Sequence, residues 1–216
     1  MNHCHIRLET PADHRVVEEL TREAFWNVYK PGCDEHYFVH TMRTHPDFLP
    51  ELAFVLEKNG RIIGNVMYTK AHLEDQTGSQ KEILSMGPIC IAPEHQRRGF
   101  SRLLLEHSFR AARNMGYDVV VNFGNPANYV GLGYVSCRKK NVCLGEGIFP
   151  TALLVKELVP DVLEGRTWRF LPNDADAPCG DLAAVAAFDA DFPPKEKAWQ
   201  PSQEEFYIYS HSCVVR

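Results

Sequence analysis

The sequence predicts an α/β protein of the mixed, α+β kind. It should have a mostly antiparallel central sheet with one bulged, splayed strand and flanking helices. Three observations carry this. Asn59-Gly60 stands between two β-rich runs, Leu52 to Glu57 and Arg61 to Tyr68, the strongest short signal for an antiparallel hairpin. A strongly amphipathic segment from Arg102 to Met115 lies between apolar runs at Ile83–Ile91 and Asp118–Phe123, which reads as two parallel strands joined by a crossover helix. Gly87-Pro88 falls inside the first of those runs, where proline is poorly tolerated in a continuous ladder, so that strand should bulge or splay.

In chain order, Ile6-Arg7-Leu8 opens as a short strand. Thr10-Pro11 supplies a cap and a first-turn proline for a helix whose apolar positions Val16, Val17, Leu20, Ala24 and Phe25 repeat at helical spacing to about Trp26. Pro31-Gly32 breaks the chain, and a second helix from Asp34 to Arg43 ends before His45-Pro46. His36 and His40 share a face of it. With no third ligand placed by sequence, they read as two surface histidines rather than a metal site. The hairpin's second arm runs to about Leu73, and Gln76–Ser79 turns the chain into the Ile83–Ile91 strand. In the helix that follows, Leu104, Leu105, Ser108, Phe109, Ala111, Ala112 and Met115 form one stripe. Arg102, Glu106, Arg110 and Arg113 form the solvated face, and Gly116 stops the helix. A loop around Gly145, Glu146 and Gly147 precedes the last good strand, Leu153–Leu158, which should pair antiparallel with a strand at Tyr134–Cys137.

The most informative stretch joins strand to helix: Gln96-Arg97-Arg98-Gly99-Phe100-Ser101. The first N–H groups of a helix lack intrahelical acceptors and sit at the positive end of its dipole, so such a junction favours phosphate. Gly99 permits a positive φ or a close backbone approach, and Arg97 and Arg98 add charge. The loop fits neither the P-loop nor the dinucleotide fingerprint. It resembles instead the [Gln/Arg]-x-x-Gly-x-[Gly/Ala] loop of the GNAT superfamily of N-acetyltransferases, with Ser101 in place of the last small residue. That resemblance implies acetyl-CoA as cosubstrate, its pyrophosphate held by the loop amides. It also implies that the backbone of Ile89, Cys90 and Ile91 pairs with the pantetheine arm in the gap of the splayed strand. An amide there, at Ile89, would face the developing oxyanion.

Gly124-Asn125-Pro126-Ala127-Asn128-Tyr129, ending in Gly133-Tyr134, looks like the GNAT segment in which a short helix carries a tyrosine. The resemblance implies Tyr129 as the catalytic acid that protonates the departing thiolate, a role suited to a phenol of pKa about 10. Asn122 and Asn125 stand at the carboxyl end of a parallel strand, where open sheets place ligands, and are expected as further cofactor contacts. The wording of this segment and of Ala152 to Gly165 also resembles a subgroup of uncharacterised bacterial acetyltransferases, over residues 6 to 170.

Composition bounds the rest. The 216 residues are 44% hydrophobic and 24% charged, with no long apolar run, so no membrane association is expected. A net charge of −5 gives no basic field for nucleic acid. Seven scattered cysteines, none spaced Cys-x-x-Cys, suit reduced thiols in the cytoplasm. Beyond Pro160 the character shifts. Residues 1–170 are expected to form the acetyl-CoA-binding domain, and 171–216 an extension with a small helix at Asp181–Phe188. Its aromatic tail (Trp199, Phe206, Tyr207, Tyr209) should dock on that domain, on the acceptor cleft or on a second subunit of a homodimer.

The expected reaction is direct acetyl transfer from acetyl-CoA to a primary amine of a small molecule or peptide, without a metal. Glu82, His72, Glu35 and His36 are all eligible as the base, and Cys90 reads as a small strand residue rather than an acyl carrier. The alternative is a non-catalytic CoA-binding regulatory module. A toxin acylating charged tRNA is a third reading, disfavoured by the acidic charge.

Overall fold

The computed structural model describes residues 4–145 and 147–215, so Glu146 of the expected loop lies outside the described residues. In chain order the elements are β1 (Cys4–Leu8), α1 (His14–Phe25), α2 (Glu35–Met42), β2 (Phe54–Lys58), β3 (Arg61–Asp75), β4 (Gln80–Ile91) and α3 (Phe100–Asn114). Then come β5 (Val119–Phe123), α4 (Pro126–Tyr129), β6 (Val135–Ser136), β7 (Val142–Cys143), β8 (Ile148–Pro150) and β9 (Leu153–Glu157). The last are β10 (Trp168–Leu171), α5 (Leu182–Asp189), α6 (Pro201–Ser210) and β11 (Cys213–Val215). The chain forms two compact units. One takes in the chain up to Tyr68 with Gly87–Ser108 and Asp174–Gln203; the other holds Thr69–Met86, Phe109–Asn173 and the chain from Glu204.

In the first unit the strand order is β1-β2-β3-β4. Asn59 and Gly60 turn the β2–β3 hairpin with φ of +52° and +77°, the two positive values that a two-residue type I′ turn requires. A register shift lies between Leu56 and Glu57 of that hairpin. Gly64 lets β3 come close to β4, because a Cβ there would stand 2.5 Å from Ile91 Cδ1 and 3.0 Å from the Cys90 carbonyl. Val17 of α1 and Val39 and Met42 of α2 pack on Ala53, Val55 and Met67 as one core. Asp13 enters α1 by accepting the Thr10 N–H at 2.8 Å and the Arg7 guanidinium at 2.6 and 2.8 Å. The Arg7 hydrogen bond holds its carboxyl well below the usual range.

The C-terminal residues of this unit are tied to α1 and α2. The Arg22 side chain, 3% exposed, donates to Asp189 at 2.6 Å and stacks its guanidinium on Trp26, 4.3 Å from the ring centre. Asn27, at φ +61°, is a hub. Its side-chain oxygen accepts the N–H of Gly32 (2.7 Å) and of Ala198 (3.1 Å). Its amide donates to the Glu196 carbonyl at 3.1 Å, and its own carbonyl accepts from Gln203 at 3.0 Å. His36 corrects the expectation of two surface histidines: it is fully buried between Phe188 and Phe192. An imidazole is small and apolar enough to fill that gap once Asp189 stands 3.1 Å from its Nε2 and the Cys33 thiol 3.5 Å from its Nδ1. Of the aromatic tail, Trp199 and Tyr207 are 66% and 57% exposed.

In the second unit the order is β3-β4-β5-β9-β6, with β10 on β3, β7 on β10, and β8 paired with β11. Among the described residues β1–β2, β2–β3, β3–β10, β5–β9 and β6–β9 pair antiparallel and β4–β5 and β7–β10 parallel, so the sheet is mixed and mostly antiparallel, as expected. The β4–β5 ladder is only two pairs long, Leu84–Val120 and Ser85–Val121. β4 continues beyond it through Gly87 and Pro88 to Ile91, so Pro88, which brings no N–H, lies past the last pair. β9 pairs with both β5 and β6, which confirms the expected antiparallel partner at Tyr134–Cys137 and adds a second one. Fourteen residues including Leu73, Ile83, Val121, Phe149, Val155, Trp168 and Phe170 close this unit's core. Of the α3 stripe, Leu104, Leu105, Ser108, Phe109 and Ala112 are buried, whereas Met115, just past the last residue of the helix, is 44% exposed. Ser108 is no lapse in the stripe: its hydroxyl meets the buried Tyr68 hydroxyl at 2.7 Å.

Removing Asp189 leaves a buried guanidinium unpaired, so Asp189→Ala should cost about 3–5 kcal/mol, and Asp189→Asn less because its amide oxygen still accepts. Denaturant unfolding checks this. An alanine variant as stable as the parent would mean that the pair does not hold the C-terminal residues down.

Candidate active site

The β4–α3 connection must leave the sheet at Ile91 and enter a helix at Phe100. Three bonds fix its path. Ala92 N–H donates to the Ile63 carbonyl (2.8 Å), Gln96 Nε2 to the Ile91 carbonyl (3.0 Å), and Leu103 N–H to the Gly99 carbonyl (3.0 Å). The last is the first helical bond, so the amides of Phe100 and Ser101 precede it and have no intrahelical acceptor. Arg97 and Gly99 both take positive φ, +57° and +83°. For Arg97 this is the costly left-handed region, by about 1–2 kcal/mol; for Gly99 it is free. Apart from its chain neighbours, no atom of the described residues lies within 4 Å of a Cβ built on Gly99, so its requirement is conformational and the space in front of it is open. Arg97, Arg98, Gly99 and Ser101 are exposed, and the Phe100 ring stands edge-on to His95. Two uncommitted amides, two guanidinium groups and an open side are what a phosphate group needs.

Ile89, Cys90 and Ile91 form the end of β4 that leads into this loop. The Cys90 thiol donates to Asn65 Oδ1 at 2.7 Å and lies 3.7 Å from Thr21 Oγ1, and burial pushes it up to about 12. It stays protonated near neutrality, which fits a small strand residue and not an acyl carrier.

In the second unit, Asn125 caps α4 by accepting the Ala127 N–H at 2.9 Å, and Gly133, at φ +85°, ends the turn after it. Tyr129 is thereby held with its ring 5.5 Å from that of Tyr134, edge to face. Asn122 sits beside it: a Cβ on Gly124 would lie 2.6 Å from the Tyr129 ring and 3.0 Å from Asn122 Nδ2. That Nδ2 is buried and meets no acceptor among the described residues. Burial raises the Tyr129 pKa and the neighbouring Asn122 amide opposes this more weakly, so the phenol keeps its proton through neutral pH. The structure therefore brings Tyr129 and Asn122 together, while the side chain of Asn125 is taken up by its cap.

Of the four groups eligible as a base, three have other surroundings. Glu82 accepts from Tyr117 and lies 3.8 Å from Lys70. His72 stands on β3 opposite Leu171. His36 is in the core, pushed down to about 4 by burial. Glu35 differs: burial of its carboxyl, with Asp34 adding repulsion, pushes it up to about 7. Sequence could name Glu35 but not single it out, since its shift comes from the packing around the start of α2. His40 is exposed: its Nδ1 meets Glu18 at 2.9 Å, and its ring packs 4.5 Å from that of Phe188, which also covers His36.

A sequence profile described as the acetyltransferase (GNAT) family matches residues 17–134. The chain is 26% identical over 163 residues to a protein of Escherichia coli strain K12 called uncharacterized N-acetyltransferase YhbS, covering 75% of this chain and 92% of that one. The crystal structure of Escherichia coli YhbS in complex with CoA is similar in fold, with a TM-score of 0.69 and 23% identity over 82% of this chain and 93% of that one. A GNAT family acetyltransferase from Brucella melitensis in complex with acetyl-CoA gives a TM-score of 0.62 and 20% identity, over 81% and 99%.

Glu35 should leave a signature in stability. In the unfolded chain it ionises near 4.5 and in the fold near 7, so its contribution is fully present below about 4.5 and lost as pH rises through about 7. Glu35→Gln removes that loss. The melting temperature of the variant minus that of the parent should therefore rise from pH 5 to pH 8. A difference that stays flat would show that the carboxyl is not stripped of water.

Proposed function

The chain belongs to the GNAT family of acetyltransferases, and we propose that it transfers acetyl from acetyl-CoA directly to a primary amine of a small-molecule or peptide acceptor. The observation that carries this is the Gln96–Ser101 loop: its open side, the Phe100 and Ser101 amides that precede the first helical bond, and Arg97 and Arg98 suit a pyrophosphate. In this reading the backbone of Ile89, Cys90 and Ile91 pairs with the pantetheine arm, past the point where the β4–β5 ladder stops. The Ile89 amide faces the oxygen on which negative charge develops.

The amine attacks the thioester carbon as its neutral form, the nitrogen sheds a proton to water as the carbon–nitrogen bond forms, the carbon–sulfur bond breaks, and the sulfur leaves with the electron pair. Tyr129 gives that sulfur its proton. Its raised pKa fits this role, because the group must still be a phenol when the thiolate forms. Asn122, whose buried Nδ2 meets no acceptor among the described residues, adds a hydrogen bond to the cosubstrate, and Asn125 contributes by shaping α4. The protonated thiol of Cys90 supports direct transfer over a covalent acyl-enzyme.

Two measurements test the reading. Acetyl-CoA at 100 times its dissociation constant should add about 2.7 kcal/mol and raise the melting temperature by roughly 5–10 °C, with CoA acting likewise and ATP not. No shift with acetyl-CoA would reduce the loop to a turn. With an active amine in hand, Tyr129→Phe should lower kcat about 10²–10⁴-fold with little change in KM for acetyl-CoA, and should abolish the alkaline decline in kcat, which in the parent is displaced upward from the ordinary phenol range. Unchanged turnover would remove the acid role while leaving the transferase.

A further inference from the structure

The tip of the β2–β3 hairpin carries two cations facing each other. Lys58 and Arg61 are cross-strand partners on either side of the Asn59-Gly60 turn, so their side chains leave the same face of the sheet. Like charges in that position repel. No ion pair joins either of them to a carboxylate among the described residues: the adjacent Glu57 serves Arg7 instead. The tip is not remote. Lys58 Nζ lies 5.1 Å from the centre of the Phe100 ring, at the first residue of α3, and the hairpin is bonded to the loop's start through Ala92 N–H and the Ile63 carbonyl. Lys58 is half-buried, its ammonium steadied over that ring.

We propose that Lys58 and Arg61 hold the 3′-phosphate of CoA and set a preference for CoA over its 3′-dephospho form. This rests on the cofactor reading given above. The phosphates of CoA differ in kind. Each pyrophosphate unit is an internal ester with one negative charge, which amides and one guanidinium can match. The 3′-phosphate is a monoester that carries close to two charges near neutral pH. It is the group that calls for two cations at one point, and a dianion between Lys58 and Arg61 turns their repulsion into attraction. A compact ammonium next to a guanidinium fork also offers several donors to its three terminal oxygens.

Isothermal titration of the full chain with CoA and 3′-dephospho-CoA tests this, using the parent, Lys58→Met (which keeps the stem over Phe100), Lys58→Arg and Arg61→Gln. The parent should bind CoA at least about tenfold tighter than the dephospho form. Lys58→Met should lose about that factor for CoA and none for 3′-dephospho-CoA, Arg61→Gln should do so to a lesser degree, and Lys58→Arg should keep the preference. Equal affinity of Lys58→Met and parent for CoA would overturn the proposal. So would a loss of the same size for both ligands, which would place Lys58 on the pyrophosphate. A parent that bound neither ligand would instead bring down the cofactor reading, and this proposal with it.

Discussion

The first unit depends on a backbone constraint: between Ile91 and Phe100 the chain has to turn from strand to helix without burying the amides that open the helix. It does so by placing Arg97 and Gly99 in the left-handed region and by closing the loop on itself through Gln96 and the Ile91 carbonyl. A helix start left open to water is the usual consequence of such a turn, and a polar side chain commonly caps it. Here the residue before the first turn is glycine, which has no side chain to offer, and two arginines stand beside it. The loop thus keeps its donors available to a partner from outside. The hairpin reinforces this, because Gly64 allows β3 to press against the end of β4 and so fixes where the loop begins.

Elsewhere, burial sets the acid–base character of the side chains. It holds Cys90 as a thiol, His36 as a neutral imidazole and Tyr129 as a phenol, and it leaves the Glu35 carboxyl with an affinity for its proton close to neutrality. The proposed direct attack on a thioester asks for that distribution: Cys90 held as a thiol, and an acid that still has its proton.

Much of this was legible in the sequence, and the reasons differ by element. Asn59-Gly60, the α3 stripe as far as Ala112 and the left-handed stop at Gly116 are local signals, found where residue chemistry placed them, whereas Thr10 heads a short turn before α1, which Asp13 caps. The loop was readable because its spacing is tied to a strand end and a helix start. What was not legible depended on distant partners. Ser108 looks like an apolar position until Tyr68 is seen opposite, and His36 looks like a surface residue until Phe188, Phe192 and Asp189 cover it. Short strands such as β7, β8, β10 and β11, two to four residues long, carry too few alternations to show a period. Met115 kept the helical rhythm yet lies exposed, since a stripe continues in sequence after the packing surface has ended.

The pairing of Arg22 with Asp189 also has a consequence for biosynthesis. The two residues are 167 positions apart, and Asn27 likewise waits for Glu196, Ala198 and Gln203. At about 5–20 residues per second, a ribosome delivers Asp189 roughly 10–30 s after Arg22. During that interval α1 and α2 can form, but the guanidinium has no carboxylate and the site of His36 has no cover. The nascent chain therefore passes through a state in which its first helices are made and unsealed, and the unit closes only as its latest residues arrive.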